Sequence, residues 1–326
     1  MNKHFLLIIL FSVFNGVHLL SATDESKRIE EQFKACMQRG EKLFEDAQYD
    51  EARAQFEQAK KLCPQEPRPY AKIFWIYYRQ YDADKALSFL QEVPQIPEDH
   101  TYYVQYLNLF RAAYTLKADY EKRDEYLNKI VELDVGDNLP DLLAKARAYD
   151  GLKQYEDALA CYERLVALMD DEADERLKGN AFFGLGHTNI QLKKYDEAIA
   201  YFEKALEHRV FAQGYDSLGT AYRNKGDYEN ARCYYEKAVE IDPLLANAWA
   251  GMGRCHRAEG NLKQAKECLQ KGIEVYALHG QSRLHLIHVL IDEGNIKEAR
   301  QHINVLQERK MYPKGIAECL KRIENL

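Results

Sequence analysis

Apolar and polar residues alternate along this chain with a period close to 3.6. In residues 212–224, Tyr215, Leu218, Gly219 and Tyr222 fall on one face if each residue turns by about 100°, and in 228–240 Tyr228, Ala231, Tyr235 and Ala238 do the same. Gly226 stands between the two runs, and Pro243 closes the second because its ring cannot continue a helix. The pattern predicts a pair of amphipathic helices joined by a short glycine-containing turn. Gly219 and Ala231 would let the helix axes approach, while Tyr222 and Tyr235 fill the remaining gaps. The apolar periods elsewhere are also near 3.6, so the chain is expected to be all-helical and without a strand.

The same pattern recurs. One constant shift lays Tyr215, Leu218, Gly219, Gly226, Ala231 and Tyr235 on Trp249, Met252, Gly253, Gly260, Ala265 and Leu269, and the same shift again gives Leu286, Gly294, Ala299 and Ile303. A step back along the chain gives Phe182, Leu185, Gly186, Tyr195, Ala198 and Phe202; Tyr155, Ala158 and Tyr162 continue the series, as do Gly40, Tyr49, Ala52, Phe56 and Pro64. Two units are eroded, one around Tyr70, Tyr77 and Ala86, the other around Phe110, Tyr114 and Tyr120, where Arg123 replaces the small residue. Such hairpins cannot bury both faces alone and are expected to stack.

On these residues the chain resembles the tetratricopeptide repeat family. The resemblance implies an all-α, right-handed superhelical solenoid of about eight helical hairpins, starting near residues 33, 67, 104, 139, 179, 212, 246 and 280 and filling 33–313. Residues 314–326 read as a capping helix, with Ile316, Leu320 and Ile323 on one side. The excess spacing before the fifth unit falls at 171–177 and reads as a lengthened, acidic helix start. The resemblance also implies binding of peptides or proteins in a groove lined by the first helices, in the manner of adaptors, assembly factors or co-chaperones.

Residues 1–22 have the build of a secretory signal: Lys3, an apolar run from Phe5 to Phe14, and small residues at Ser21-Ala22-Thr23. Cleavage near residue 22 and delivery to the periplasm, the exterior or a secretory lumen are expected. A membrane association is expected only if the segment is retained as an anchor. The formal charge of −7 and the lack of a basic block argue against nucleic acid, whose phosphates demand clustered cations. The seven cysteines are odd in number, and the candidate pairs are Cys255 with Cys268 and Cys36 with Cys63, the latter offset by about 6 Å along the helix axes. His285 and His288, with His279 or His302, are the nearest approach to a metal cluster, but lack a cysteine or carboxylate at ligand spacing. Neither a phosphate-cradling glycine loop nor a nucleophile elbow is present, so neither enzyme chemistry nor a cofactor is expected.

On the first helices, the face away from the hairpin partner carries aromatics early and cations late. Trp75 and Tyr78, beside Phe44, stand in the first two units; Arg147, His187, Arg223, Arg254, Arg257 and His288 follow. These eight, Phe44 aside, are the candidate partner-binding residues, suited to a protein or peptide with an acidic segment. Each has a plainer alternative: the aromatics pack on neighbouring helices, and Arg254 and Arg257 pair with Asp216 and Asp292. The carboxylate clamp of some family members is absent, since Asp216, Thr220, Ala250 and Leu284 stand at the matching places. Two roles follow: an exported interaction scaffold, or a structural subunit whose eroded repeats at 67–138 are buried against a fixed partner.

Overall fold

The computed structural model describes residues 16–94, 96–97, 102–170 and 172–325, with side chains from residue 25 onward. The leader expected at residues 1–22 lies outside the described residues up to residue 15; helix is already formed at Gly16. Seventeen helices and no strand occur among the described residues. They are α1 (Gly16–Glu45), α2 (Tyr49–Leu62), α3 (Pro67–Arg79), α4 (Ala83–Leu90), α5 (Tyr103–Leu116), α6 (Tyr120–Glu132), α7 (Leu139–Gly151), α8 (Tyr155–Leu168) and α9 (Glu175–Gln191). There follow α10 (Tyr195–His208), α11 (Ala212–Lys225), α12 (Tyr228–Ile241), α13 (Ala246–Ala258), α14 (Leu262–Val275), α15 (Gly280–Asp292), α16 (Ile296–Glu308) and α17 (Pro313–Glu324). Consecutive helices from α1 to α16 pair into eight hairpins, and the fold is an all-α solenoid. No described helix is long and apolar enough to cross a membrane.

The chain divides into two compact units, residues 1–133 with three hairpins and residues 134–326 with five hairpins and α17. In each unit the second helices carry the residues that permit close approach. Ala52, Ala86, Ala158, Ala198, Ala231, Ala265 and Ala299 occupy equivalent positions and are fully buried. Facing them, a Cβ added at Gly219 would lie 2.9 Å from the Tyr235 ring and 3.0 Å from the Ala231 carbonyl, and one at Gly186 would lie 2.5 Å from Phe202. Helices this close leave room for glycine and little else.

Every hairpin turn contains one residue in the left-handed region, immediately before the first cap of the second helix. Glycine supplies it only in the last three, at Gly226, Gly260 and Gly294. Ala47, Tyr81, Ala118, Lys153 and Lys193 hold the same conformation in the first five, with φ between 57° and 62°. The expectation of a glycine in the turn is therefore corrected for five hairpins. Packing of the two helices dictates the turn, and the side chain there bears a strain of about 1–2 kcal/mol. After it, Asp82, Asp119, Asp227 and Asn295 cap the second helix by accepting from backbone N–H groups three residues on.

Helix α9 begins at Glu175 and runs 17 residues, so the added spacing before the fifth hairpin lengthens its first helix, capped by Asp174. In α17, Ile316, Cys319 and Ile323 are buried against the eighth hairpin, while Leu320 is half-buried. All seven cysteines are free thiols, so neither candidate pair is bridged.

Candidate functional site

In the unit of residues 134–326 the first helices α9, α11, α13 and α15 present polar side chains on the face opposite their hairpin partners. A cavity of about 630 Å³ opens there, lined by Arg223 of α11, Arg254 and Arg257 of α13, His285, His288 and Asp292 of α15, and Glu318 and Arg322 of α17. A second cavity of about 400 Å³ adjoins it, sharing Arg223 and Arg254 and adding Asp216, Thr220, Tyr235, Asn247, His279 and Gln281. Three sequence-predicted residues from consecutive first helices, Arg223, Arg254 and His288, thus meet in one groove together with Arg257.

The cations in this groove fall into two kinds. Arg257 Nε donates to Asp292 Oδ2 at 2.6 Å and Arg322 Nη2 donates to Asp292 Oδ1 at 2.6 Å. Burial alone would raise the Asp292 carboxyl, but the two guanidiniums outweigh it and hold the group below its usual range. Arg322 Nη1 also lies 3.1 Å from His288 Nδ1, so His288 is tied into the same cluster. Burial, with Arg257 and Arg322 adding to it, pushes the His288 imidazole down. The sequence alternative for Arg257, pairing with Asp292, is what the structure shows.

Arg223 and Arg254 are different. Arg223 Nε donates to the Tyr235 hydroxyl at 3.2 Å, and that hydroxyl also meets Thr220 Oγ1 at 3.0 Å. Arg254 makes no hydrogen bond and no ion pair with any described residue, and burial together with the Arg223 charge lowers its pKa. The expected alternative, Arg254 paired with Asp216, does not occur. Asp216 lines the second cavity, and burial pushes its carboxyl up to about 6 despite the Arg223 charge. Beside them, burial and Arg254 push His285 down to about 3.

The ring of Tyr235 reaches this groove from α12 by passing under Gly251, where an added Cβ would lie 2.3 Å from it. Tyr162 passes under Gly184 in the same way, also at 2.3 Å, and donates to Asp150 Oδ2 at 3.0 Å. In the intervening hairpin Phe202 has no hydroxyl, the equivalent of the glycine is Ser217, and Ser217 Oγ lies 3.3 Å from His187 Nε2. After the seventh hairpin Leu269 is smaller still, and His285 takes that place. Ring size on the second helix and side-chain size on the next first helix are complementary at Tyr162 with Gly184 and Tyr235 with Gly251, and the residues at the equivalent positions, Phe202 with Ser217 and Leu269 with His285, change in the matching sense. The sequence reading missed His285 as a groove residue, although it stands one repeat after Gly251; Arg322, on α17, has no repeat equivalent to signal it.

Arg147 and His187 share a third cavity of about 440 Å³ with Asp150, Tyr162, Asn180 and Phe183. His187 packs edge-on against Phe183 at 4.6 Å and Phe202 at 5.4 Å, and its burial pushes the imidazole down. Thr188 Oγ1 lies 2.8 Å from Asp150 Oδ1, and burial raises this carboxyl in spite of Thr188, Tyr162 and Arg147.

In the unit of residues 1–133 the cavity is aromatic. About 330 Å³ is lined by Phe44, Tyr70, Trp75, Val93, Ile96, Tyr106 and Leu109, with Arg68 and Lys72 at its edge. Those cations are already paired, Arg68 with Glu66 at 2.8 Å and Lys72 with Glu41 at 2.6 Å. Trp75 lines the cavity; Tyr78 packs its ring against Trp75 at 5.1 Å. Trp75 also packs on Phe74 of the same helix at 5.3 Å. His279 and His302 are engaged apart from His285 and His288, by Ser282 and Asn247 and by Arg283, and no group of three potential metal ligands occurs among the described residues.

Two family models match the chain: residues 85–243 match the tetratricopeptide repeat protein 21 C-terminal ARM domain, and residues 223–279 match the tetratricopeptide repeat. The tetratricopeptide repeat match is thus to residues 223–279, and the two matches together span residues 85–279. Among solved structures, one from the "APC/C hetero-tetramer Cut9-Hcn1" is 15% identical with a TM-score of 0.63, over 88% of this chain and 55% of that one. A tetratricopeptide repeat protein from Parabacteroides merdae is 17% identical with a TM-score of 0.55, over 80% of this chain and 99% of that one. The chain therefore spans about half the length of the first of these relatives, and the likeness to both is one of fold. No curated protein matches the sequence.

Proposed function

We propose that this tetratricopeptide-type chain is a non-enzymatic, exported scaffold that holds an acidic segment of a partner protein in the groove of its last hairpins. The observation that carries the reading is Arg254: a half-buried guanidinium on the groove surface, beside Arg223, without a carboxylate partner among the described residues. A protein does not commonly leave a partly desolvated charge unpaired unless something else supplies the counter-charge. Export to a periplasm, the exterior or a secretory lumen rests on the leader pattern of residues 1–22. Crosslinking in the source cell, followed by mass spectrometry of the captured protein, tests the partner, and the intact mass of the purified chain tests removal of the leader. Failure of any captured peptide to crosslink within the groove of α11, α13 and α15 would remove this reading.

A second reading, a fixed structural subunit, is favoured by a different feature. Val210, Leu244, Leu278 and Tyr312 recur at one constant spacing on the connections that precede α11, α13, α15 and α17, and they are 64%, 73%, 43% and 37% exposed. Such a row of apolar side chains suits a permanent contact. Co-purification at a fixed ratio would favour the subunit, whereas salt-sensitive, substoichiometric capture would favour the scaffold.

A further inference from the structure

Resting on the groove reading above, we infer that Arg223 and Arg254 together form a binding site for one compact oxyanion of the ligand, a carboxylate or phosphate group. The two guanidiniums come from neighbouring first helices and line both adjoining cavities, so they stand on the ridge between two open spaces. The other two arginines of the groove share Asp292 between them; these two have no carboxylate bound among the described residues. Arg223 is held in place through its Nε by the Tyr235 hydroxyl, which leaves its terminal N–H groups for a ligand. A planar, doubly donating guanidinium pair matches an oxyanion better than it matches any neutral group. Without that ligand the two like charges repel, which is part of the physical content of the lowered pKa of Arg254 beside its burial.

Asp216 gives the site a second property. Its carboxyl lines the same cavity and is the one acidic group among the described residues that line it, facing Arg223 on its own helix, Tyr235 from α12, Arg254 from α13, His279 from the start of α15 and Tyr312 from the start of α17. While ionised, Asp216 offers the Arg223 guanidinium a rival negative charge. It takes up a proton near pH 6, so an oxyanion of constant charge binds more tightly as the pH falls through that region. His285, pushed down to about 3 by burial and by the arginines, stays neutral across it, and burial and the arginines lower His288 as well.

The test uses the full-length folded protein, isothermal titration at constant ionic strength, and two probes. Sulfate keeps its charge across the pH range and stands for a phosphoryl group, and succinate at pH 7.5 stands for a carboxylate; the tighter of the two identifies the source. Saturable 1:1 binding is expected, weakened about tenfold or more by Arg254→Gln or Arg223→Gln, one charge-assisted contact being lost in each. Sulfate should bind more tightly at pH 5.5 than at pH 7.5, and Asp216→Asn should bind at pH 7.5 as the wild type does at pH 5.5. Arg164→Gln, which removes an exposed arginine paired with Asp137, should leave both affinities unchanged. A thermal unfolding curve for each variant certifies the fold. Absence of saturable binding, equal weakening by Arg164→Gln, or affinity untouched by both groove variants would overturn the site. Anion binding without a captured partner would leave this site standing and remove the scaffold reading; partner capture unaffected by Arg254→Gln would do the reverse.

Discussion

The third and fifth hairpins use one helix-pair plan and fill the space between helices in different ways. In the fifth, Gly186 lies against the Phe202 ring and Ala198 is fully buried, so the axes approach and the side chains on the outer face of α9 are free to be polar. In the third, Arg123 stands where Ala198 stands in the fifth, its guanidinium over the Tyr120 ring at 5.0 Å and bonded to Asp124 at 2.5 Å. The hairpin is sealed by a stack instead, Phe110 on Tyr126 at 4.8 Å with nearly parallel planes and Tyr114 on Tyr126 at 5.6 Å. The contrast extends across each unit. The glycine-rich hairpins of residues 134–326 surround a groove of arginines and histidines, whereas the aromatic-rich hairpins of residues 1–133 surround a cavity of rings. Close helix packing by small residues puts the core inside the hairpin and leaves the groove face for recognition. Packing by rings draws the same face partly into the core.

The sharpest way to break this comparison is to remove one ring from each unit. Phe74→Ala and Phe202→Ala both empty fully buried sites and should each cost about 3–5 kcal/mol in a denaturant melt. A much smaller loss at Phe74 would mean that the aromatic unit packs loosely. Next in size, Gly251→Ala drives a methyl into the Tyr235 ring and should cost about 1–3 kcal/mol. Tyr235→Leu in the same chain should recover much of it, because the smaller side chain leaves room for the methyl, as Leu269 and His285 stand at the equivalent positions one repeat on; simple additivity of the two losses would refute the size complementarity.

The titrating groups of the groove make a pH comparison. Asp216 is raised in the fold, so the native state holds the extra proton between about pH 4 and 6 and this group favours folding on acidification. His285 is depressed, so the unfolded state holds the extra proton between about pH 3 and 6.5, and this group disfavours folding on acidification. The two slopes oppose each other in the wild type. Relative to it, Asp216→Asn should lose up to about 1 kcal/mol for each unit of acidification from pH 6 to pH 4, and His285→Gln should gain by a similar amount. Parallel pH profiles for all three proteins would contradict the assignment of these two groups.

Smaller still are the cations and the turns. Arg254→Gln relieves a repulsion and should raise the melting temperature slightly, whereas Arg257→Gln strips Asp292 of a partner and should cost about 0.5–1.5 kcal/mol, less than a fully buried ion pair because both groups are partly solvated. Ala118→Gly removes left-handed strain from the third hairpin and should stabilise it by about 0.5–1 kcal/mol, while Gly260→Ala in the seventh should destabilise by a similar amount. Equal and opposite effects at these two turns would show that the backbone conformation is common to both units.

The repeat, the helical class and the small-residue contacts were legible in the sequence because they depend on spacing alone: Ala231, Gly219 and Tyr235 sit on one face of their helices whatever surrounds them. The turn conformation was legible only where glycine marked it. At Lys153 and Lys193 the left-handed residue is imposed by helix packing, and a lysine gives no local sign of that. Arg254 and Arg257, three positions apart on one face, are alike as letters and as helix positions. Only the tertiary structure separates them. Asp292, from the next first helix, accepts from Arg257 and from Arg322 of the helix that follows the last hairpin, each at 2.6 Å, while no described residue claims Arg254. Periodicity is a property of one helix and survives in the linear sequence, whereas the partner of a charge is decided by which side chains the stacked helices bring within reach.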